Sequence, residues 1–373
     1  MFFYWFLLVF CTGVFYIGKM FVRLPEGELY TRENNREMKF CFILVSVLMI
    51  FIISMRHVSI GNDTFIYKHY FFDKYAENGI KYMFENEESE WGYALLQIFF
   101  NRIGFGFEAF NVVYATFNVC VIMSLIYKWS DIPWLSCLLF FFFGFFVLNL
   151  TMMRQITAMS IVILAVMNDD DNGFKGFLKF AVMLGIAFSI HTSAVVAIPM
   201  WIIKKVKFSG KTVAVFFLLI FLAYIFKTPL TKLVANFASG MTERYDHYDV
   251  EKNGELGTLF YIMMLVTMVA SVFMSSFLSD RKNQTLFMFM AVMLIIFPTT
   301  QVGGAAMRIY YYYYIFAIIF IPNMLTGMRR RRDLIMYFIT LVLFIAVGFS
   351  EYHASISDNQ YNMVPYHFFW EEV

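Results

Sequence analysis

Apolar runs separated by short polar breaks recur from Phe2 to about Ser350. Several are long enough to cross a bilayer as helices, with local thinning for the shorter ones. The pattern predicts spans over Phe2–Gly18, Phe40–Met55, 108–127 and 134–150. A further one starts at Arg154 and stops before Asp169, Asp170 and Asp171. Others follow at 212–226, 258–278, 285–298, 309–327 and 334–350. Two stretches fit this scheme less simply. The segment 91–103 is short for a span and reads as interfacial. The segment 176–203 reads as two short helices meeting near His191, with one long tilted span as the alternative. The expected fold is an all-α polytopic integral membrane protein. It has about 10–12 transmembrane helices, short extracytoplasmic loops and re-entrant or interfacial segments, and forms one domain over 1–373.

Composition agrees with that reading. The chain is 60% hydrophobic and 15% charged, against ~25% charged in soluble domains. Its mean hydropathy is +0.65. The N-terminal run lacks a basic leader and a small-residue cleavage site, so it reads as a first span. Cys11, Cys41, Cys120 and Cys137 lie in apolar runs, without the spacing of a metal or redox motif. A net charge of +2 gives no reason to expect nucleic acid as a partner.

The basic clusters set an orientation. The four consecutive arginines Arg329–Arg332, the lysines 204–211 and Arg281-Lys282 are expected in the cytoplasm. Counting spans then puts both termini, the loops 56–90 and 227–257 and the tail 351–373 outside. Arg56, Asp63, Glu90, Arg154, His191, Arg244 and Arg308 all fall on that outer side.

Polar groups at membrane depth are costly and often functional. Arg154 opens a helix, where the dipole disfavours a cation. With Gln155 among apolar neighbours, it reads as functional rather than as a snorkelling anchor. His191, in Ser-Ile-His-Thr-Ser, reads as functional rather than as a satisfied turn histidine. Asp63 fits a turn cap as well as an active carboxylate, and Glu90 fits a helix first turn equally well. Arg56 follows an apolar run and precedes a glycine turn. Arg308 precedes the tyrosine run 310–314, which reads as an interfacial belt.

Arg56-x4-Gly61-x-Asp63-Thr64-x2-Tyr67 resembles the opening signature of the EpsG family of exopolysaccharide and capsule polymerases. So do, in order, Glu90-x-Gly92-Tyr93, Arg154-Gln155-x2-Ala158, His191-x-Ser193-Ala194 and Pro365-Tyr366. The family usually has proline where this chain has Trp91, a change that leaves the carboxylate in place. The resemblance implies a Wzy-like glycosyltransferase in the bacterial plasma membrane. Such an enzyme polymerises undecaprenyl-pyrophosphate-linked oligosaccharide repeat units on the outer face. The lipid bilayer, a flippase and a chain-length regulator are the implied partners. No dense carboxylate cluster or Cys/His set argues for a metal, so neither metal nor cofactor is expected.

The residues suit that chemistry. A leaving pyrophosphate needs cations, and arginine supplies a planar, permanently charged fork. Arg56 and Arg154 are the first choices, with Arg308 and Arg244 behind them and Gln155 beside them. The acceptor hydroxyl needs a base, and His191 has a suitable intrinsic pKa. Asp63 and Glu90 are its rivals, or orient the acceptor sugar. Tyr67, Tyr93 and Trp91 are candidates for stacking on sugars. A lipid-linked oligosaccharide flippase and a membrane O-acyltransferase stand as alternatives. The first would place its charges at the midplane and the second would need catalytic groups reachable from the cytoplasm.

Overall fold

A computed structural model describes residues 1–21, 36–85, 90–168, 173–239, 255–302, 304–359 and 361–372. Among them the structure is helical, and strand-like pairing is limited to one isolated bridge. The helices begin with α1 (Phe2–Phe21), α2 (Arg36–Ser54) and the short α3 (Thr64–Ile66). A π-helical turn, Tyr67–Phe72, leads into α4 (Asp73–Glu85), and α5 (Trp91–Arg102) follows. Next come α6 (Phe107–Trp129), α7 (Pro133–Phe142), α8 (Phe145–Thr151) and α9 (Met153–Met167). Then α10 (Phe174–Ile190) ends at His191, and a 3-10 turn, Thr192–Ala197, joins it to α11 (Ile198–Lys205). The second half contains α12 (Gly210–Ile225), α13 (Lys227–Ser239), α14 (Glu255–Val272), α15 (Ser275–Leu278) and α16 (Arg281–Ile296). It closes with α17 (Gly304–Tyr314), α18 (Ala317–Arg330) and α19 (Leu334–Ser357).

Local chemistry places several of these boundaries. Pro133 sits in the first turn of α7, where its missing N–H costs nothing. The Asp280 side chain caps α16 by accepting from the Lys282 N–H at 2.9 Å. Gly144, at φ 77°, breaks the expected 134–150 span into α7 and α8, which meet at 53°. A sharper bend of 85° separates α12 from α13.

Five described helices are long and apolar enough to cross a membrane, or seven if each bent pair is one span. Met38–Ser54, Met153–Met167 and Gly257–Val272 are shorter apolar helices. The protein is an all-α polytopic membrane protein. The apolar stretches differ in length, as expected of a chain with interfacial or re-entrant segments beside its spans. At ~1.5 Å per residue, α5 is ~18 Å long, too short to cross alone. Three polar segments expected as loops are partly helical. The loop 56–90 holds α3 and α4, the loop 227–257 holds α13, and α19 carries the first turns of the expected tail.

The core gathers around α18 and the α7/α8 break. Residues 318–321 of α18 are fully enclosed, as are Phe140, Phe141, Phe145 and Phe146 around the α7/α8 break. The α9 helix packs along α10 and α6, and α2 runs along α6. Lipid-facing surfaces lie at the periphery. On α19, Ile335, Phe338 and Val342 are exposed, and on α12 so are Val215, Leu218 and Phe221. Apolar side chains in such a row are at home against acyl chains. The tyrosine run departs from the expectation of an interfacial belt. Tyr310, Tyr312, Tyr313 and Tyr314 are buried inside the protein. Tyr313 donates to the Val196 carbonyl at 3.0 Å, and Ser193 donates to the Tyr312 hydroxyl at 3.3 Å. The hydroxyls of Tyr312 and Tyr313 are thus met by the turn after His191 rather than by headgroups.

Candidate functional site

Two glycines bring the polar residues together. Gly61 has φ 85°, a left-handed conformation that favours glycine. A Cβ there would lie 3.1 Å from the Leu150 carbonyl carbon and closer still to its oxygen. The turn therefore seats directly on the end of α8, where Thr64 also donates to the Leu150 carbonyl at 3.3 Å. This sets Asp63 beside the start of α9, whose first turn carries Arg154. Gly92 does the same for α5. A Cβ there would approach the Ser189 Cβ and carbonyl oxygen to 2.7 Å. Only glycine lets the N-terminal end of α5 close on the last turn of α10, and Glu90 then meets His191.

Glu90 is the centre of the cluster. One carboxylate oxygen takes a hydrogen bond from Arg154. The other is 2.7 Å from His191 Nδ1. Burial pushes the Glu90 carboxyl up. The hydrogen bond from His191 and the charge of Arg154 outweigh that and hold it at about 2. An ionised carboxylate only accepts, so His191 must carry its proton on Nδ1. In the neutral ring Nε2 is then a bare lone pair, and this nitrogen is buried without a protein partner. Glu90 also answers the difficulty with Arg154, because a carboxylate at a helix N-terminus offsets a cation placed there.

Around this core, Tyr67 interacts with both the Asp63 carboxyl and the Arg154 guanidinium. Arg154 lies over the Tyr67 and Phe71 rings at 5.6 and 5.8 Å. Tyr67 opens the π-helical turn, a widened geometry common at functional sites. Burial raises the Asp63 carboxyl above the usual range, opposed by Arg308, Arg154 and Tyr67. Gln155 donates to the Arg308 main-chain carbonyl at 2.9 Å, and its own side-chain oxygen has no partner. It thereby ties α9 to α17 and fixes where Arg308 stands. Asp63, Tyr67, Glu90, Arg154, Gln155, His191 and Arg308 thus form one constellation, drawn from five separate stretches of sequence.

Arg56 is placed differently. It is 1% exposed, donates to the Ile53 carbonyl and lies 5.9 Å from the Tyr114 ring. Its Nε and one terminal nitrogen are unpartnered. Tyr67 and Tyr93 interact with both Arg56 and Arg154. Tyr93 is also buried, with its ring 5.8 Å from that of Tyr67. These two tyrosines pack beneath the site and expose no face for a sugar, whereas Trp91 is largely exposed. Arg244 lies outside the described residues.

Sequence reasoning did not find Tyr114, which has no motif around it, or the packing of Gly92 on Ser189. Pro365-Tyr366 entered only as part of the family pattern, and the structure supplies a physical role. The Tyr366 hydroxyl donates to the Ile52 carbonyl at 2.6 Å and pins the tail to the end of α2.

The EpsG family model matches residues 39–368, which include all of these elements. No curated protein and no solved structure matches the chain.

Proposed function

The chain belongs to the EpsG family, membrane proteins with a polymerase-like part in exopolysaccharide synthesis, and on that premise we propose that it lengthens glycans from lipid-linked repeat units. The donor is a glycan on undecaprenyl pyrophosphate, and the acceptor is a sugar hydroxyl of an incoming lipid-linked unit. The reaction takes place at the outer face of the bacterial plasma membrane.

The observation that carries this reading is the Glu90 carboxylate held between Arg154 and His191. With Nδ1 held by Glu90, the His191 Nε2 takes the proton of the acceptor hydroxyl. The hydroxyl oxygen forms a bond to the donor's anomeric carbon. The bond from that carbon to the pyrophosphate oxygen breaks, and undecaprenyl pyrophosphate leaves with its electron pair. Glu90 steadies the imidazolium that forms, as a carboxylate does behind a catalytic histidine. Arg154 and Arg308 stabilise charge on the departing pyrophosphate. Asp63, beside Tyr67, orients the acceptor sugar.

Reconstitution tests the reading. Full-length protein in proteoliposomes, supplied with purified undecaprenyl-pyrophosphate-linked repeat unit, is expected to lengthen the glycan. His191→Gln is expected to insert normally and lose ~100- to 10,000-fold in rate. Movement of the unit across the bilayer without lengthening would make the protein a flippase. A mass gain of one acyl group would make it an acyltransferase.

A further inference from the structure

A cleft opens one residue away from Asp63. It lies between the loop at 58–65 and the tail at 359–367, and its volume is about 430 Å³. This is within the ~300–1,000 Å³ usual for small-molecule sites. Its walls are built rather than incidental. The tail pairs with the end of α2 through an antiparallel bridge between Arg56 and Phe368. His57 N–H donates to the His367 carbonyl at 2.8 Å, and Phe369 N–H to the Met55 carbonyl at 2.9 Å. Asn359 and Asn362 adopt left-handed φ values of 47° and 50°, a region asparagine tolerates better than most residues. The Asn359 side-chain oxygen accepts from the Met363 and Val364 N–H groups at 2.8 Å each, which fixes the tail's turn. Asn362 reaches across the cleft and donates to the Asn62 side-chain oxygen at 3.0 Å.

The lining has a distinct chemistry. It contains no lysine, arginine, aspartate or glutamate. It presents the amides of Asn62 and Asn362, the Ser59 hydroxyl and the Phe65 ring, which is 49% exposed. Amides donate and accept at once, as sugar hydroxyls do. An exposed ring suits the apolar C–H face of a pyranose. The one titratable side chain in the lining, His367, faces Glu371 at 2.9 Å, and without lysine or arginine the cleft is a poor place for a pyrophosphate. The geometry points to a glycan subsite that holds a neutral sugar residue of the repeat unit outside the reacting centre. The choice of repeat unit as ligand rests on the polymerase reading. Asn62 lines this cleft, and the next residue, Asp63, interacts with Tyr67 beside Arg154. One turn therefore joins the subsite to the reacting centre, and a single oligosaccharide can reach both.

The probe is the repeat-unit oligosaccharide freed from its lipid by mild acid, added to full-length protein in nanodiscs. Saturation-transfer NMR is expected to show contact at the protons of a neutral sugar residue. Phe65→Ala and Asn362→Ala are each expected to weaken binding about tenfold. Phe65→Trp, which keeps a ring, is expected to retain it, and so is His191→Gln. Absence of transfer, transfer to anionic residues alone, or unchanged binding in both alanine variants would overturn the subsite. Lengthening of the intact lipid-linked unit by the parent is read separately. Its failure alongside cleft-dependent binding would sink the polymerase reading and leave the glycan site standing.

Discussion

Arg56 is fully buried and Arg154 partly so; they share Tyr67 and Tyr93 as neighbours, yet they are compensated in different ways. Arg154 faces a carboxylate, which in turn faces a histidine with one ring nitrogen unpartnered. Arg56 faces a main-chain carbonyl and the Tyr114 ring, and the tail closes over it by pairing with its backbone. A buried arginine is therefore not in itself a sign of chemistry. Arg154 belongs to a chain of groups that ends in an unpartnered ring nitrogen. Arg56 belongs to a joint between α2, α6 and the tail, and it touches no solvent while that joint is closed.

Exchanging each arginine for lysine breaks or sharpens this contrast. Lysine keeps the charge and loses the fork. Arg154→Lys is expected to insert normally and to lose about a hundredfold to a thousandfold in polymerisation rate, corresponding to ~2.7–4 kcal/mol. Proteoliposome turnover measures this, and a rate within about threefold of the parent, ~0.7 kcal/mol, would remove the clamp role. Gly92→Ala acts on the same cluster without touching a charged group. Its methyl collides with Ser189, so α5 shifts and Glu90 leaves His191. A displacement near 1 Å is worth about a hundredfold in rate, with ~1–3 kcal/mol of overpacking. Unchanged turnover with a lowered thermal midpoint would show that the glycine serves packing alone. Arg56→Lys is expected to have the smallest kinetic effect, within about threefold. It should instead lower the thermal midpoint, because a buried group left unpaired costs ~1–3 kcal/mol. A turnover loss equal to that of Arg154→Lys would move Arg56 into the reacting centre.

Much of this was legible in the sequence, because its carriers are local. Apolar runs announced helices, and Gly61 announced a turn. The short α5 and the break at His191 followed from run lengths. The pairing around Glu90 was not local. Glu90 lies 64 residues from Arg154 and 101 from His191, and no period or spacing connects them. Each residue alone fitted a cap or an anchor as well as a site. The tyrosines 310–314 show the converse limit. Hydropathy finds aromatic residues near a helix end, but whether they face headgroups or a neighbouring turn depends on Val196 and Ser193, over a hundred residues away. The bend at Gly144 escaped for a related reason, since glycine inside an apolar run is tolerated in a straight helix too.

The central claim is that Glu90 fixes the tautomer of His191 and leaves Nε2 free as the base. Nitrogen-15 NMR of histidine-labelled protein in nanodiscs tests this directly. The His191 signals are identified by their loss in the His191→Gln spectrum. At neutral pH the account predicts a protonated Nδ1 and a bare Nε2, with a mixture of tautomers once Glu90→Gln removes the anionic acceptor. A proton on Nε2, or an imidazolium at neutral pH, in the parent protein would contradict it.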